Sequence, residues 1–316
     1  MKSFPLTLIA IAAMVGTNLT TSSRSLADES SAAAGGKLSV VDHAGQHADI
    51  VGRDGKPLLR YVYVRDTSSK ERDFDTAKVF AHVMAPGGED TLTSGAGGAL
   101  FPHHRGIFIG WNKIRHNDQT HDLWHVRDTV QKHIALEHGA DDDSAFITAT
   151  IHWIGKDGKP LIEEQRTMRL VDGDDAYAVI DVTSELTAVA GDLVLDGDPE
   201  HAGIQFRPAQ EVGENKSAKY TFHADGVDPT KQEDLPWVAC SFTIDGSQWT
   251  VQHISHPSNP TGARWSAYRD YGRFGPFPVI ELAKGESRVL QFRFRITAGE
   301  TPDVETLTTA ASRFRD

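Results

Sequence analysis

Residues 145–170 read Ala145-Phe-Ile-Thr-Ala-Thr-Ile-His-Trp-Ile154, then Gly155-Lys-Asp-Gly-Lys-Pro160, then Leu161-Ile-Glu-Glu-Gln-Arg-Thr-Met-Arg-Leu170. Two strand-like runs thus flank Lys156-Asp157-Gly158-Lys159-Pro160. Gly158 accepts the positive φ that a tight turn needs, so the whole stretch reads as a β-hairpin. The same turn recurs as Arg53-Asp54-Gly55-Lys56-Pro57, between strand-like runs at 48–51 and 58–64. That is a recurrent turn solution and not proof of a repeat. Residues 176–187 alternate well, with Tyr177, Val179 and Asp181 set against Ala178, Ile180 and Val182. Further strands are expected at 203–208, 218–223, 237–244, 248–253, 277–282 and 288–297, with Asp245-Gly246 as another hairpin turn.

Convincing helices are scarce. Thr301-Pro302-Asp303 reads as an N-cap with proline at the first helical position, opening a short C-terminal helix that runs to about Arg313. Many strands joined by Gly- and Asp-rich turns predict an all-β protein, an antiparallel β-sandwich followed by that helix. No βαβ alternation and no Gly-rich phosphate loop is present, which disfavours a nucleotide-binding fold.

The N-terminal residues read as an export signal. Lys2 precedes an apolar run at 5–16, and Ser25-Leu26-Ala27 is a small-x-small cleavage site, so residues 1–27 are expected to be removed. Residues 28–36 read as a linker, 37–300 as the sandwich, and 301–316 as the helix and tail. A periplasmic or secreted protein is expected, with no membrane attachment after cleavage. Loss of Lys2 and Arg24 takes the formal charge from −12 to −14. An acid excess of that size argues against nucleic acid as a partner. The single Cys240 lies in the apolar run Trp237-Val238-Ala239-Cys240-Ser241-Phe242 and reads as a buried structural thiol.

The chemistry-bearing stretch is Phe101-Pro102-His103-His104-Arg105-Gly106-Ile107-Phe108-Ile109-Gly110-Trp111, followed by His116, His121 and Asp122-Leu123-Trp124-His125. Five of the chain's 15 histidines fall within it. Imidazole changes charge near neutral pH, moves protons and ligates metals. If residues 100–111 form a strand, His103 and His104 point to opposite faces, unless a turn at Pro102 relaxes this. His121 and His125, four apart, share one face of a helix or a regular strand. Two later segments can complete a site. In 200–208, Gln205 and Arg207 project together, and Arg207 is a fixed cation suited to a carboxylate or oxyanion. In 256–275, His256, Arg269 and Asp270 sit in a loop rich in Pro, Gly and aromatics. For each of these residues a packing or salt-bridge role stands beside the functional one.

Taken together, Pro102-His103-His104-Arg105-Gly106, Gly110-Trp111, Asp122-Leu123-Trp124 and the late His256-Pro257 through Gly275 resemble the PmoA-like family of exported bacterial proteins, over about 37–298. The resemblance implies a β-sandwich similar in outline to the galactose-mutarotase supersandwich, and through it a carbohydrate ligand. Three readings remain open. The first is a sugar-active enzyme (lyase, epimerase or hydrolase) acting on a sugar, keto-sugar or oligosaccharide. In it His104, His125 and Asp270 are the catalytic candidates, with Glu211 as an alternative carboxylate. His103, Arg105, Trp111, Trp124, Arg207, His256 and Arg269 are the substrate-binding candidates. The second is a metal enzyme with ligands among His103, His104, His121, His125 and His256. The third is a non-catalytic carbohydrate-binding module. No cofactor or metal is assigned.

Overall fold

The computed structural model describes residues 36–172, 175–197 and 201–316. The expected signal segment at 1–27, and all of the expected linker except residue 36, lie outside the described residues. The described residues pack as one compact unit. No helix among the described residues is long and apolar enough to cross a membrane.

The backbone of the fold is an eight-stranded sheet in which every neighbour is antiparallel. In spatial order its strands are Lys219–Phe222, Trp237–Ile244, Ser247–Ser255, Ser287–Ala298, Ala178–Ala188, Pro160–Val171, Ser144–Ile154 and Val130–Ala140. The hairpin read from residues 145–170 forms as expected, and Gly158 adopts φ +76° at its turn. The two-residue period is visible in Ser144–Ile154, where buried and half-buried residues alternate from Phe146 onward. The second layer is a six-stranded antiparallel sheet ordered Ser39–His43, His47–Val51, Pro57–Val62, Phe80–Val83, Ile107–Ile109 and Ile204–Phe206. Between the layers sit Ile147, Ile151, Ile180 and Phe292 from the large sheet and Ile50, Leu59, Tyr61 and Val83 from the smaller one. Burial of such side chains is worth about 1.5–3 kcal/mol each relative to exposure, which makes this core the main force behind the sandwich. Two small antiparallel sheets complete the fold, one of four strands and one of two.

The C-terminal helix spans Val304–Arg315. Its cap is Asp303, whose carboxylate accepts from the Thr306 N–H at 2.8 Å, so Pro302 precedes the cap rather than following it. Leu307 and Ala311 dock on Trp237, Ala239 and Ile254. Cys240 is fully buried, and burial raises its thiol pKa.

Several expectations are corrected. Residues 100–111 are not one strand: only Ile107–Ile109 pairs, and 102–103 form a turn. Residues 277–282 divide between Pro276–Phe277 and Ile280–Leu282, which belong to different sheets, because proline at 278 cannot donate to a ladder. Two six-residue helices, Lys70–Asp75 and Gln210–Asn215, were not legible, being too short to show a helical period.

Candidate functional site

The site is built where the chain leaves regular structure. Phe101 takes φ +54°, and the His104 N–H closes a turn on the Phe101 carbonyl at 2.9 Å. Gly106 takes φ +50°, and a Cβ there would meet the Ala81 carbonyl oxygen at 2.0 Å, so only glycine fits. This is the turn at Pro102 that frees His103 and His104 from opposite faces. Their rings meet edge to face at 4.2 Å. Arg105 is what holds the turn: its guanidinium donates to the carbonyls of Pro102, Asp75 and Phe74 at 2.9, 2.9 and 3.0 Å. All three bonds run to backbone, so Arg105 clamps the turn.

A second irregular segment supplies His125. The Asp122 carboxylate accepts from the backbone N–H groups of Trp124 (3.1 Å) and His125 (2.8 Å) and from His125 Nδ1 at 2.8 Å. A carboxylate acceptor fixes the imidazole proton on Nδ1 and leaves Nε2 with its lone pair. Burial pushes the Asp122 carboxyl upward, but the bonds from His125 outweigh it and hold the pKa below the ordinary value. Val126, next in the chain, takes φ +53°, a strained setting for a β-branched residue.

Ring contacts connect these segments. His125 lies 4.5 Å from His103 and 5.1 Å from His201, and Trp124 meets His104 at 5.5 Å and His201 at 5.6 Å. His103, His125 and His201 are half-buried and form the outer rim. Beneath them, His104 is 2% exposed and lies nearly parallel to Phe108 on one ring contact (5.9 Å) and Tyr271 on another (6.2 Å). Burial, reinforced by Arg273, drives the His104 pKa well below the ordinary value. Burial and the Lys78 charge push His103 down to about 2. Both rings are therefore neutral at physiological pH.

Cations form the floor. Lys78 is buried, donates to the carbonyls of His103 (3.1 Å) and Trp124, and sits 4.6 Å from the Phe108 ring centre. Burial lowers its pKa strongly. Arg273 donates to Gln205 Oε1 (2.8 Å), Ser266 Oγ (3.0 Å) and Tyr271 Oη (3.3 Å), with its guanidinium 5.4 Å from the Trp124 ring. Arg207, 0% exposed, stacks 4.8 Å from the Tyr271 ring and donates to the Tyr271 carbonyl. Burial brings the Arg207 pKa down to about 10. Its Nε and Nη2, both nitrogens of His104, and Trp124 Nε1 are buried without a protein hydrogen-bond partner. Native interiors seldom leave such groups unpaired, so a cluster of them calls for water or a ligand.

Other candidates stand elsewhere. Trp111 is core, donating to the Pro278 carbonyl at 2.9 Å and packing 5.9 Å from Trp153. His121 ends the strand Gln119–His121 and accepts from the Lys156 N–H at 3.1 Å, so it does not share a face with His125. His256 pairs with Ser258 at 2.8 Å and contacts Phe314 of the C-terminal helix. Arg269 is exposed and stacks on Tyr268 at 4.9 Å. Asp270 has a side chain 60% exposed, 3.9 Å from Lys216, so it is not brought among the histidines. Glu211 accepts from the Asp245 N–H at 3.1 Å. The histidines weighed as ligands in the metal-enzyme alternative are likewise dispersed, since His121 and His256 lie apart from the other three.

Lys78, His201, Tyr271 and Arg273 were not singled out from the sequence. For Lys78 a signal existed: a lysine wedged into Ala77-Lys78-Val79-Phe80 must either snorkel or be held by carbonyls. For Asp122 it was the Asp-x-x-His spacing of an Asx turn.

Fold and site together define an antiparallel β-sandwich that carries a cluster of half-buried histidines packed over buried Lys78, Arg207 and Arg273. The chain belongs to a family of unknown function, DUF6807, whose model matches residues 50–312. That family carries no PmoA-like description, so the name implied by the resemblance finds no support. No curated protein sequence matches the chain. Solved structures similar to it include a mutant heparan sulfate lyase HepC from Pedobacter heparinus, at 10% identity and a TM-score of 0.41, covering 82% of this chain and 36% of that one. A galactose 1-epimerase from Lactobacillus acidophilus NCFM is similar at 11% identity and a TM-score of 0.35, covering 83% and 94%. A putative aldose 1-epimerase from Escherichia coli K12 is similar at 11% identity and a TM-score of 0.30, covering 82% and 98%. The chain spans about a third of the lyase's length. These proteins are alike in outline only and lend nothing to the reading of this chain's chemistry.

Proposed function

We propose that this protein is an exported carbohydrate-active enzyme that moves a proton at a sugar or keto-sugar carbon, as a lyase or epimerase does. The observation that carries the reading is the Asp122–His125 pair, set in ring contact with the neutral His103 and beside buried donors with no protein partner. His125 Nε2 is the general base: the proton moves from a carbon beside a carbonyl to the imidazole, and Asp122 orients the ring that receives it. Negative charge then builds on the carbonyl oxygen. Fixed donors in a water-poor setting stabilise such charge best, and His104 and Arg207 are the groups with donors to spare. Asp122, held by three donors, orients a histidine rather than facing a second carboxylate, which weighs against paired-carboxylate hydrolysis.

The test uses purified protein and a panel of aldoses, keto-sugars and glycosides, followed by product formation, solvent-deuterium exchange and melting temperature. His125→Asn keeps a similar shape and removes the base. It is expected to lower turnover by about 10²–10⁴-fold with the fold intact. A melting shift without product points to a binding module instead. No exchange, no product and no melting shift across the panel overturns the reading.

A further inference from the structure

A second constellation lies on the first hairpin, away from the residues discussed above. Strands Ser39–His43 and His47–Val51 pair in register, with His43 opposite His47. The turn between them is closed by the Gln46 N–H on the His43 carbonyl at 2.9 Å, with Gly45 at φ +78°. Residues two apart on a strand share a face, so Asp49 projects beside His47. The two imidazoles lie 4.4 Å apart, and Nε2 of each is 3.8 Å from the same oxygen, Asp49 Oδ2. One ligand atom from each residue falls within 4.8 Å of the other two.

We propose that His43, His47 and Asp49 form a binding site for a divalent transition-metal ion of the zinc class. Two imidazole nitrogens and one carboxylate oxygen suit zinc, copper(II) or nickel(II), whereas magnesium and calcium demand oxygen ligands. Tetrahedral zinc with bonds near 2.0–2.1 Å holds its ligand atoms roughly 3.4 Å apart. Contraction from 3.8 Å is a few tenths of an ångström, and His43, whose side chain is 48% exposed, is free to supply it. The third residue is already fixed: Arg60 Nε and Nη2 donate to Asp49 Oδ1 and Oδ2 at 2.8 and 2.9 Å. Such an outer partner orients a ligating carboxylate and leaves each oxygen a further lone pair. The Arg60 charge also opposes a cation, so an open site of moderate affinity is expected rather than a closed structural one. All three ligands precede residue 50, where the family match begins.

The experiment is calorimetric titration of Zn²⁺ into the purified, metal-stripped protein carrying no polyhistidine tag, with Co²⁺ absorption as a geometry probe. One ion per chain is expected, bound with a Kd in the micromolar range, together with a visible Co²⁺ band and a rise in melting temperature. His43→Ala, an exposed change that spares the core, and His43→Ala/His47→Ala are each expected to weaken binding by at least about tenfold, the cost of one lost ligand interaction. Circular dichroism confirms that the variants remain folded. Binding that survives both variants unchanged, or no binding to the parent, overturns the proposal. The sugar assays decide the proposed function separately, because none of these three residues touches the His103–His125 cluster.

Discussion

Two buried polar clusters in this molecule make opposite use of arginine. Inside the large sheet, Glu164 accepts from Trp153 Nε1, from Arg166 Nε and Nη2 at 2.8 Å each, and from Ser184 Oγ at 2.6 Å. Every one of these side chains is buried, and none of their fully buried polar atoms lacks a partner. At the candidate site, Arg207 and His104 are equally buried yet keep donors that no protein atom accepts. A saturated network is a structural solution: it fixes one packing and offers nothing to a ligand. A network left open inside a fold bears a cost that only water or a ligand can offset.

The largest expected effect is therefore on stability at the saturated cluster. Arg166→Met strands the Glu164 carboxylate and should cost about 3–5 kcal/mol in denaturant unfolding. A loss below about 1 kcal/mol would mean that the network is not the rigid unit its geometry describes.

Acid sharpens the comparison from the other side. The folded His103 pKa is pushed down to about 2, against an ordinary value of 6.5, and His104 shifts in the same direction. Between about 2 and 6.5 the unfolded chain binds more protons at these positions, so stability falls as pH drops through that window. From pH 6.5 to pH 5 one such histidine accounts for up to about 2 kcal/mol. His103→Gln should flatten the stability profile over that interval, measured by urea midpoints at several pH values. An unchanged slope would show that other groups carry the acid sensitivity. Arg166 stays charged throughout, since the attraction of Glu164 outweighs burial and raises its pKa.

How much of this could be read beforehand follows the same division. The hairpin at 145–170, its turn and the alternation near Ile180 were legible, because a two-residue period and a Gly turn are local signals. The C-terminal helix was legible through Thr301-Pro302-Asp303, although its cap is Asp303 and Pro302 lies before the cap. The candidate site was half legible: the density of histidine marked 103–125, and of the two geometries open for 100–111 the turn at Pro102 forms rather than an unbroken strand. Residues such as Phe101 and Val126 at positive φ follow no local preference, and the surrounding fold must impose them. Lys78 was half legible: its apolar neighbours signal a lysine that must snorkel or be held by carbonyls, but nothing near it in sequence announces that the acceptors are those of His103 and Trp124.

Arg207→Met tests the open cluster directly. It removes a buried guanidinium that satisfies only part of its hydrogen-bonding capacity, so the fold should change by no more than about 1 kcal/mol, or gain stability. Ligand binding or turnover should fall in the same variant. A stability loss as large as that of Arg166→Met would erase the distinction and make Arg207 a structural residue.

Asp270 supplies the smallest effect and the cleanest control. It sits one residue before Tyr271, whose ring packs against His104 and beneath Arg207, so chain position alone places it at the site. Geometry does not: its carboxylate is largely exposed, and its ion pair with Lys216 is long, at 3.9 Å. Exposed pairs of this kind contribute about 0–1 kcal/mol, so Asp270→Asn should leave the urea midpoint nearly unmoved. If Asp122 is the carboxylate that serves the histidines, turnover by Asp270→Asn should stay within about twofold of the parent, while Asp122→Asn loses the proton-transfer step by about 10²-fold or more. A reversal of that order would mean that the loop carrying Asp270 swings inward when substrate binds, and that the base is oriented from the late loop rather than from the turn at 122–125.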